Sequence, residues 1–406
     1  MHILLIHQAF AALDEAGGTR HHELARLLAA RGHRVTIIAG QVSYLSGKAT
    51  GKNSWLERRE DVPGVTILRA YTYPALHRSF VHRVLSFFSF MMSSLIAGLG
   101  VREVDLVWGT SPPIFQGATA WLLARLKGAA FLFEVRDLWP AFAIAVGVLR
   151  SRTLIAASLW LEGFLYRRAD CVMVNSPGYV QHVCERGARR VELIPNGADS
   201  RMFDPQGRGM RFRQEHGLGD DFVVLYAGAH GLSNDLEVVL QAASLLRGEA
   251  GFRFVLVGDG KEKPALQAAA RGMGLDNVCF VPPVPKEGMS EVMAAADACL
   301  AILKPLEMYK TTYPNKVFDY MAAGRPVVLA IDGVIRAVVE EAGAGLAVQP
   351  GDAAGMAEAI RCLARDRGAA RAMGAAGRAY IESHFDREML AQKLVLLLQG
   401  MRGRRG

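Results

Sequence analysis

The residues most suited to chemistry fall in three short segments, and the most distinctive of them is a predicted helix start. Pro314 is typical of the first turn of a helix, and Asn315 and Asp319, four residues apart, would share one face of it. A lysine at the amino end of a helix, here Lys316, suits a diphosphate, and a carboxylate one turn later suits the paired hydroxyls of a ribose. The segment predicts a nucleoside diphosphate site, although a capped surface helix with an incidental lysine would show the same pattern.

The second segment places charged side chains at the end of a predicted strand. Glu134, Arg136 and Asp137 lie at the carboxyl end of the apolar run 131–135, the edge where open α/β sheets bind ligands. Asp137 would accept a hydrogen bond from an acceptor hydroxyl, and Arg136 would face a phosphate. The alternative is an internal ion-pair cluster formed by these three charges.

The third segment is a glycine pair, Gly17 and Gly18, between a predicted strand and a predicted helix. Glycines let backbone N–H groups approach a ligand closely, and the helix dipole favours an anion at this point. Arg20, in the first turn, would add a charge-assisted contact. The spacing is not GxGxxG, which counts against a dinucleotide fingerprint. A plain strand–helix turn is the alternative.

Short β-branched runs alternate with helical patterns along the whole chain, and most runs are continuously apolar, as expected of parallel strands covered on both faces. We therefore predict an α/β protein with two Rossmann-like, doubly wound parallel-sheet domains facing a cleft. The domains would span 1–200 and 201–384, with a carboxyl-terminal helix, 385–406, packed back on the first. Predicted strands are 3–7, 34–39, 65–69, 105–108, 131–135, 171–175, 222–226, 253–257, 278–281, 298–302 and 326–330, and predicted helices include 20–31, 235–246, 263–272 and 316–323.

Composition excludes several classes of protein. With 406 residues, 51% of them apolar and 21% charged, the chain is globular and needs at least two domains. Residues 1–200 hold 22 Lys and Arg against 15 Asp and Glu, a balance of +7, whereas the rest of the chain is almost neutral. A basic domain suggests an anionic partner. We expect a phosphorylated small molecule or acidic lipid rather than nucleic acid, because no dense Lys/Arg run with interleaved aromatics occurs.

Cysteine usage and the start of the chain predict a cytoplasmic protein. The five cysteines form no CxxC pair, and their odd number argues against a disulfide framework. The first residues lack the charged region and long apolar run of a signal peptide.

The uncharged segment 84–101 departs from the alternating pattern. It is near the lower length limit for a membrane-spanning helix, but Ser86, Ser89 and Ser93 would form a polar stripe on it. Three interpretations stay open: a buried or surface helix of the domain, a helix lying in a membrane interface, and a transmembrane span.

Several motifs resemble retaining GT-B glycosyltransferases of family four over about residues 1 to 385. The segment 314–324 resembles the family's donor-site signature, and RGHRVTII, IPNGAD and VGDG, at 31–38, 194–199 and 257–260, are similar to other family motifs. HQAF, SPP and EVRDLWP, at 7–10, 111–113 and 134–140, resemble the subgroup that builds bacterial surface polysaccharides such as O-antigens.

The resemblance implies a set of site residues and two departures from the family pattern. The second of the family's paired glutamates falls on Asp319, and the first falls on Thr311, which has no carboxylate. The family's Arg and Lys after the first strand of the second domain are replaced by a glycine turn and His230, which leaves Lys304, Lys310 and Lys316 as nearby cations. Implied donor-site residues are Gly228, His230, Val284, Lys304, Thr311, Asn315, Lys316 and Asp319; Asp137, Arg136 and Lys316 would be catalytic, and Gly17, Gly18 and Arg20 would form an acceptor-side phosphate loop.

We therefore expect a retaining hexosyl or N-acetylhexosaminyl transferase. It would move a sugar from a nucleoside diphosphate sugar, with UDP the expected nucleotide, to a glycan or a polyprenyl-diphosphate-linked acceptor at the cytoplasmic face of the inner membrane. The sequence has no DxD motif and no His/Cys cluster of the kind that binds a metal, and we expect no cofactor. A GT-B nucleotide-sugar epimerase and a non-catalytic nucleotide-sugar-binding protein are the alternatives; an assay with donor alone identifies the first, and binding without UDP release identifies the second.

Overall fold

The computed structural model describes residues 1–43, 47, 54–74, 80–249 and 251–402. The chain divides into two compact units, which are described separately. Unit 1 comprises Met1–Ala12, Gly18–Pro195 and Glu388–Gly406, and unit 2 comprises Leu13–Gly17 and Asn196–Arg387. Residues 403–406 of the predicted carboxyl-terminal helix lie outside the described residues.

The strands and helices alternate along most of the chain. The strands are β1 (His2–His7), β2 (Arg34–Gly40), β3 (Leu56–Val62), β4 (Val65–Ala70), β5 (Leu106–Ser111), β6 (Ala130–Val135), β7 (Cys171–Val174), β8 (Val191–Leu193), β9 (Phe222–Ala227), β10 (Phe252–Val257), β11 (Val278–Val281), β12 (Ala298–Ile302), β13 (Val327–Ala330) and β14 (Gly345–Ala347). The helices are α1 (Arg20–Ala30), α2 (Phe80–Gly100), α3 (Phe115–Lys127), α4 (Ala141–Ala145), α5 (Arg152–Arg168), α6 (Val180–Glu185), α7 (Met210–Glu215), α8 (Leu236–Leu245), α9 (Lys263–Gly272), α10 (Met289–Ala294), α11 (Asn315–Ala322), α12 (Val334–Glu341), α13 (Ala353–Arg365), α14 (Arg367–His384) and α15 (Arg387–Arg402).

Unit 1 is built on an eight-stranded sheet in the order β3-β4-β2-β1-β5-β6-β7-β8. All its pairings are parallel except that of β3 with β4. One face of the sheet packs against α1 and α15 through side chains such as Leu24 and Leu394. The other face packs against α2, α3 and α5 through side chains such as Phe90, Leu123 and Leu165. Helices on both faces explain why these strands read as continuous apolar runs.

Unit 2 is built on a six-stranded, all-parallel sheet in the order β11-β10-β9-β12-β13-β14. Separate apolar clusters cover its two faces, one centred on residues such as Phe318 and Val339, the other on residues such as Leu240 and Ile360. The predicted α/β class with two doubly wound parallel sheets is confirmed. In such sheets the carboxyl ends of the strands meet at one edge, and that edge positions the candidate site in each unit.

Helix α2 contains the uncharged segment, and its two sides differ. The serine stripe lies on the buried side of the helix: Ser93 Oγ donates to the Tyr71 carbonyl at 2.6 Å, and Ser89 Oγ accepts from the Tyr73 N–H at 2.9 Å. Large apolar side chains between 48% and 63% exposed recur every three or four residues on the other side: Val81, Leu85, Phe88, Met92, Ile96 and Leu99. Among the described residues, Val81–Gly100 alone is long and apolar enough for a membrane span by length and composition, and 33% of its most apolar window is buried.

Candidate active site

The amino end of α11 is fixed by the IPNGAD motif, residues 194–199. Asn196 Nδ2 donates a 2.7 Å hydrogen bond to the Tyr313 carbonyl, just before Pro314 and the first turn of the helix. The helix then presents Asn315, Lys316 and Asp319 within its first two turns, while Val317 and Phe318 enter the core. A helix amino end with a lysine and a carboxylate one turn apart is therefore formed, as the spacing predicts.

Lys316 is directed at the glycine turn that follows β9. Its Nζ donates to Tyr226 Oη at 2.7 Å and to Asn234 Oδ1 at 3.3 Å, and lies 4.0 Å from the centroid of the Tyr226 ring. A Cβ added to Gly228 would stand 2.9 Å from this Nζ. Desolvation lowers the pKa of Lys316 to about 7, because no carboxylate compensates for the water that the ammonium has lost.

The turn after β9 is packed so closely that side chains are excluded. A Cβ on Gly258, whose φ is +145°, would lie 1.9 Å from the Gly228 carbonyl oxygen. His230 is completely buried, and neither of its ring nitrogens has a hydrogen-bond partner among the described residues. Burial, with Lys263 and Lys316 nearby, lowers the pKa of His230 to about 4, so the ring is neutral at pH 7. Buried polar atoms normally have hydrogen-bond partners, so a ligand or an ordered water would satisfy the nitrogens of His230.

Asp319 lies one turn along α11 and is bound by a lysine that sequence reasoning missed. Lys286 Nζ is 2.6 Å from Asp319 Oδ1, with side-chain exposures of 9% and 16%. Asn315 Oδ1 is buried and has no hydrogen-bond partner in the part of the chain described. Both residues lie within α11, so their four-residue spacing puts them on the same helix face, as the sequence predicts.

The other predicted donor-site residues are dispersed around this edge. Thr311, where the family has a glutamate, donates its hydroxyl to the Met308 carbonyl at 2.6 Å. The backbone N–H of Lys304 donates to the Ser233 carbonyl at 2.9 Å, next to Asn234, which contacts Lys316. Its side chain lines a cavity of about 130 Å³ together with Lys310. Val284, half-buried, lies in the loop after β11, two residues before Lys286.

In unit 1, the glutamate at the end of β6 is the centre of a buried network. Glu134 is completely buried and is contacted by His21 Nε2 at 2.5 Å, Trp108 Nε1 at 3.0 Å and Arg20 at 3.2 Å. Burial alone would raise the pKa of Glu134, but His21 and Arg20 outweigh it and lower the pKa to about 2. Trp108 is a donor only, so it too favours the carboxylate.

The prediction that Arg20 contacts a phosphate is not supported by this geometry. Besides Glu134, its guanidinium donates to the carbonyls of Ile194 and Pro195 at 2.9 Å, and the residue is only 4% exposed. The reason is helical phase: Arg20 begins α1 on the side that faces the sheet. The predicted ion-pair cluster is also changed, because Glu134 pairs with Arg20 and His21 and not with Arg136.

Arg136 and Asp137 are only partly buried at the carboxyl edge of the sheet. Arg136 Nη2 donates a hydrogen bond to the Pro112 carbonyl at 3.0 Å, and Nε of the same side chain has no partner among the residues described. Burial raises the pKa of Asp137 to about 6, against the opposing effect of Arg136. A carboxylate with this pKa is ionised at pH 7 and is able to accept a hydrogen bond.

Three further polar residues at the same edge were missed by sequence reasoning. His7, Gln8 and Asn175 follow or end β1 and β7, and all are less than 10% exposed. Both His7 nitrogens, Gln8 Oε1 and Asn175 Oδ1 have no hydrogen-bond partner within the described ranges. Unpaired buried polar atoms are rare, and a group of them at one sheet edge marks a place that a polar ligand would satisfy. The strand-end position of each residue was the available signal.

Gly17 and Gly18 are exposed and fall on either side of the boundary between the units. A Cβ added to Gly18 would meet nothing within 4 Å, so packing does not require glycine there. Among the described residues, no group of three or more His, Cys, Asp or Glu side chains is arranged to hold a metal ion.

Two family models match the chain. Residues 16–197 match the glycosyl transferase 4-like domain, and residues 221–366 match the glycosyl transferases group 1. The chain belongs to this glycosyltransferase family. Each match covers most of one parallel-sheet unit, and together they make the protein a transferase.

Relatives agree with this assignment, and solved structures share its fold. WcaI of Escherichia coli K12, assigned to colanic acid biosynthesis as a glycosyl transferase, is 26% identical over 76% of this chain and 78% of its own length. The chain spans about half the length of the D-inositol 3-phosphate glycosyltransferases that it also matches. A sucrose-phosphate synthase from Thermosynechococcus elongatus, 22% identical, superposes with a TM-score of 0.80 over 99% of both chains. Anabaena HepE, solved with UDP-glucose, gives a TM-score of 0.73 at 16% identity over 98% of this chain and 100% of its own. The fold of this glycosyltransferase is GT-B.

Proposed function

We propose that this glycosyltransferase moves a sugar from a UDP-sugar to a lipid-linked or polysaccharide glycan in the synthesis of a bacterial surface polysaccharide, with retention of anomeric configuration. The observation that carries the donor assignment is Lys316, held at the Gly228 turn with Asp319 one helical turn away. HepE, of the same fold, was solved in complex with UDP-glucose, and WcaI is assigned to colanic acid biosynthesis, which supports both the donor and the pathway class.

The donor groups act on the departing diphosphate. As the bond to the anomeric carbon breaks, negative charge grows on the leaving phosphate oxygen, and groups already positioned there stabilise it at little cost of reorganisation. Lys316 supplies positive charge, and the amino end of α11 supplies N–H groups and the helix dipole. Asp319 holds the ribose hydroxyls, which fixes the diphosphate relative to Lys316.

The acceptor groups lie on unit 1. Asp137 accepts a hydrogen bond from the acceptor hydroxyl, and Arg136 faces a phosphate of the donor or acceptor. In the retaining reaction implied by the family, the acceptor hydroxyl attacks the anomeric carbon from the face that the phosphate leaves, and the leaving phosphate oxygen takes the proton of that hydroxyl. The proposal needs no metal, because the cations and helix end named above carry the charge, and we expect full activity in the presence of EDTA.

A nucleotide-sugar screen tests the function. Purified protein is incubated with UDP- and GDP-sugars, with and without polyprenyl-diphosphate-linked saccharides, and released nucleotide and glycosylated product are measured. We expect UDP release that depends on acceptor, and a product whose anomeric configuration by NMR matches the donor. UDP release from no donor–acceptor pair, despite nucleotide binding, would leave a binding protein, and an epimer formed from donor alone would make it an epimerase.

We further propose that unit 1 associates peripherally with the cytoplasmic face of the membrane. The outward face of α2 is apolar along its length, and Leu126 on α3 and Trp160 on α5 are exposed by more than 60% on the same side of the sheet. Residues 1–200 carry the excess of +7 charges. Each Lys or Arg near an anionic surface contributes about 1 kcal/mol, and apolar side chains entering the interface add to this.

Vesicle sedimentation tests this surface. We expect binding to vesicles that contain acidic lipid and release by high salt, since screening weakens charge attraction. Leu85→Glu on α2 should weaken binding, whereas Leu396→Glu on α15 should not, although the two leucines are 50% and 61% exposed. Equal behaviour of both variants, or no binding of the wild type at low salt, would make the acceptor a soluble one.

A further inference from the structure

The proposed mechanism leaves unexplained the ion pair between Lys286 and Asp319. The two charged atoms, Nζ and Oδ1, are 2.6 Å apart, and both side chains are largely buried. Lys286 Nζ also lies 5.1 Å from the centroid of the Phe203 ring. Lys286 begins the short turn Lys286–Gly288 and is thereby joined to the loop that contains Val284.

This contact leaves Asp319 able to bind a ligand. A carboxylate offers about four lone-pair sites on its two oxygens, so one ammonium on Oδ1 does not use up its capacity to accept hydrogen bonds. A lysine ammonium is a donor only, so it keeps the carboxylate ionised and makes it an acceptor for hydroxyl groups. A ribose presents two adjacent hydroxyls, which are the donors such a carboxylate would accept.

The position of the pair matters because aspartate is short. With one methylene fewer than glutamate, Asp319 reaches less far from α11, and a partner from another element of unit 2 fixes its orientation. Lys286 is that partner. The aromatic ring of Phe203 holds the ammonium from a further side by a cation–π contact.

We propose that Lys286 is a positioning residue for nucleotide recognition: it orients Asp319 toward the ribose hydroxyls of the donor and links that contact to the Val284 loop. The inference rests on the proposed UDP-sugar function and deepens it. Lys286 acts through Asp319, so its loss should reduce the recognition of the ribose itself and not only the strength of binding.

Isothermal titration of UDP and 2′-deoxy-UDP tests this distinction. The two ligands differ only in the hydroxyl that the carboxylate would accept. For the wild type, we expect UDP to bind at least about tenfold more tightly than 2′-deoxy-UDP, which is the usual effect of a charged hydrogen bond. In Lys286→Met, UDP affinity should fall at least about tenfold, and the preference for UDP over its deoxy form should shrink to less than about threefold. Lys286→Arg should keep most of the preference, and Lys393→Met, an exposed lysine on α15, should match the wild type.

Each outcome supports or overturns the inference. If Lys286→Met weakens both ligands equally and keeps the ribose preference, Lys286 has only a structural role. Should that variant not fold, Asp319→Asn gives the same test, because an unchanged preference there means that Asp319 does not contact the ribose. If the wild type binds neither ligand, the proposed UDP function is overturned together with this inference. If the wild type binds UDP tightly and both Lys286→Met and Asp319→Asn keep the preference for UDP over 2′-deoxy-UDP, only the inference is overturned.

Discussion

The buried ammonium of Lys316 gives the donor site a pH dependence that can be worked out from the structure. In the free protein, desolvation lowers the pKa of Lys316 to about 7. A diphosphate within contact distance favours the charged form and raises this pKa in the complex. The contribution of Lys316 to UDP binding is then complete below pH 7 and is lost as pH rises toward the pKa of the complex.

The expected size follows from the two pKa values. If UDP restores the ordinary lysine pKa of about 10.5, affinity should fall about fiftyfold between pH 7 and pH 9; if it raises the pKa only to about 8, the fall is about fivefold. The phosphate groups ionise near pH 6 and do not contribute above pH 7. UDP binding at pH 8 should therefore take up a proton, and titration calorimetry in two buffers of different ionisation enthalpy measures that uptake.

A Lys316→Met variant and the stability of the free protein provide two further tests of this prediction. In Lys316→Met the pH dependence and the proton uptake should both disappear. The stability of the free protein should change in the opposite sense, rising with pH between about 7 and 10.5, because the unfolded chain holds the Lys316 proton more tightly than the folded one. UDP affinity that is level from pH 7 to pH 9, or a slope that persists in Lys316→Met, would refute the assignment of this lysine to the diphosphate.

Three other predictions concern the remaining charged residues. Asp319→Ala should weaken UDP binding more than about tenfold by calorimetry while the fold persists, because charge-assisted contacts to the ribose are lost. Sugar transfer should fall as pH drops below the pKa of Asp137, which is about 6. In Asp137→Asn, transfer should fall about 100-fold or more while UDP binding is retained. If the residual transfer of Asp137→Asn still falls at low pH, another group causes that pH dependence. Arg20→Met should lower the free energy of unfolding by about 3–5 kcal/mol in denaturant, since it removes one cation from a buried carboxylate, whereas a stable variant with impaired transfer would return Arg20 to the acceptor site.

Much of the fold was predictable because parallel strands covered on both faces are apolar throughout. Every predicted strand exists, with ends that differ by a few residues. The missed strands are those without this signature. Leu56–Val62, with the sequence LERREDV, is a polar antiparallel edge strand, and Val191–Leu193 and Gly345–Ala347 have three residues each. Their structure depends on the neighbouring strand and not on their own pattern.

The candidate site was predictable only where its residues are close in sequence. Asn315, Lys316 and Asp319 share one helix, so their spacing sufficed. The partner of Asp319 is 33 positions earlier, at Lys286, and the aromatic ring beneath Lys316 comes from β9. No local pattern joins such residues, since tertiary packing alone brings them together. For Arg20 the local pattern was misleading. Its position beside a glycine pair indicated a ligand contact, but Arg20 lies on the side of α1 that faces the sheet, and its side chain is buried.

The two departures from the family pattern are connected through Lys316. Where the family has its first glutamate, Thr311 donates its hydroxyl to a backbone carbonyl, and the nearest partners of Lys316 are a phenol and an amide. A lysine paired with a carboxylate must give up an ion pair before it can bind a diphosphate, whereas a contact with a tyrosine ring is worth about 0.5–2 kcal/mol. Lys316 is thus free to exchange a weak partner for a strong one. In the proposed mechanism, a lysine that is destabilised until the diphosphate arrives replaces the family's Arg and Lys after β9, because its gain in stability appears where negative charge develops.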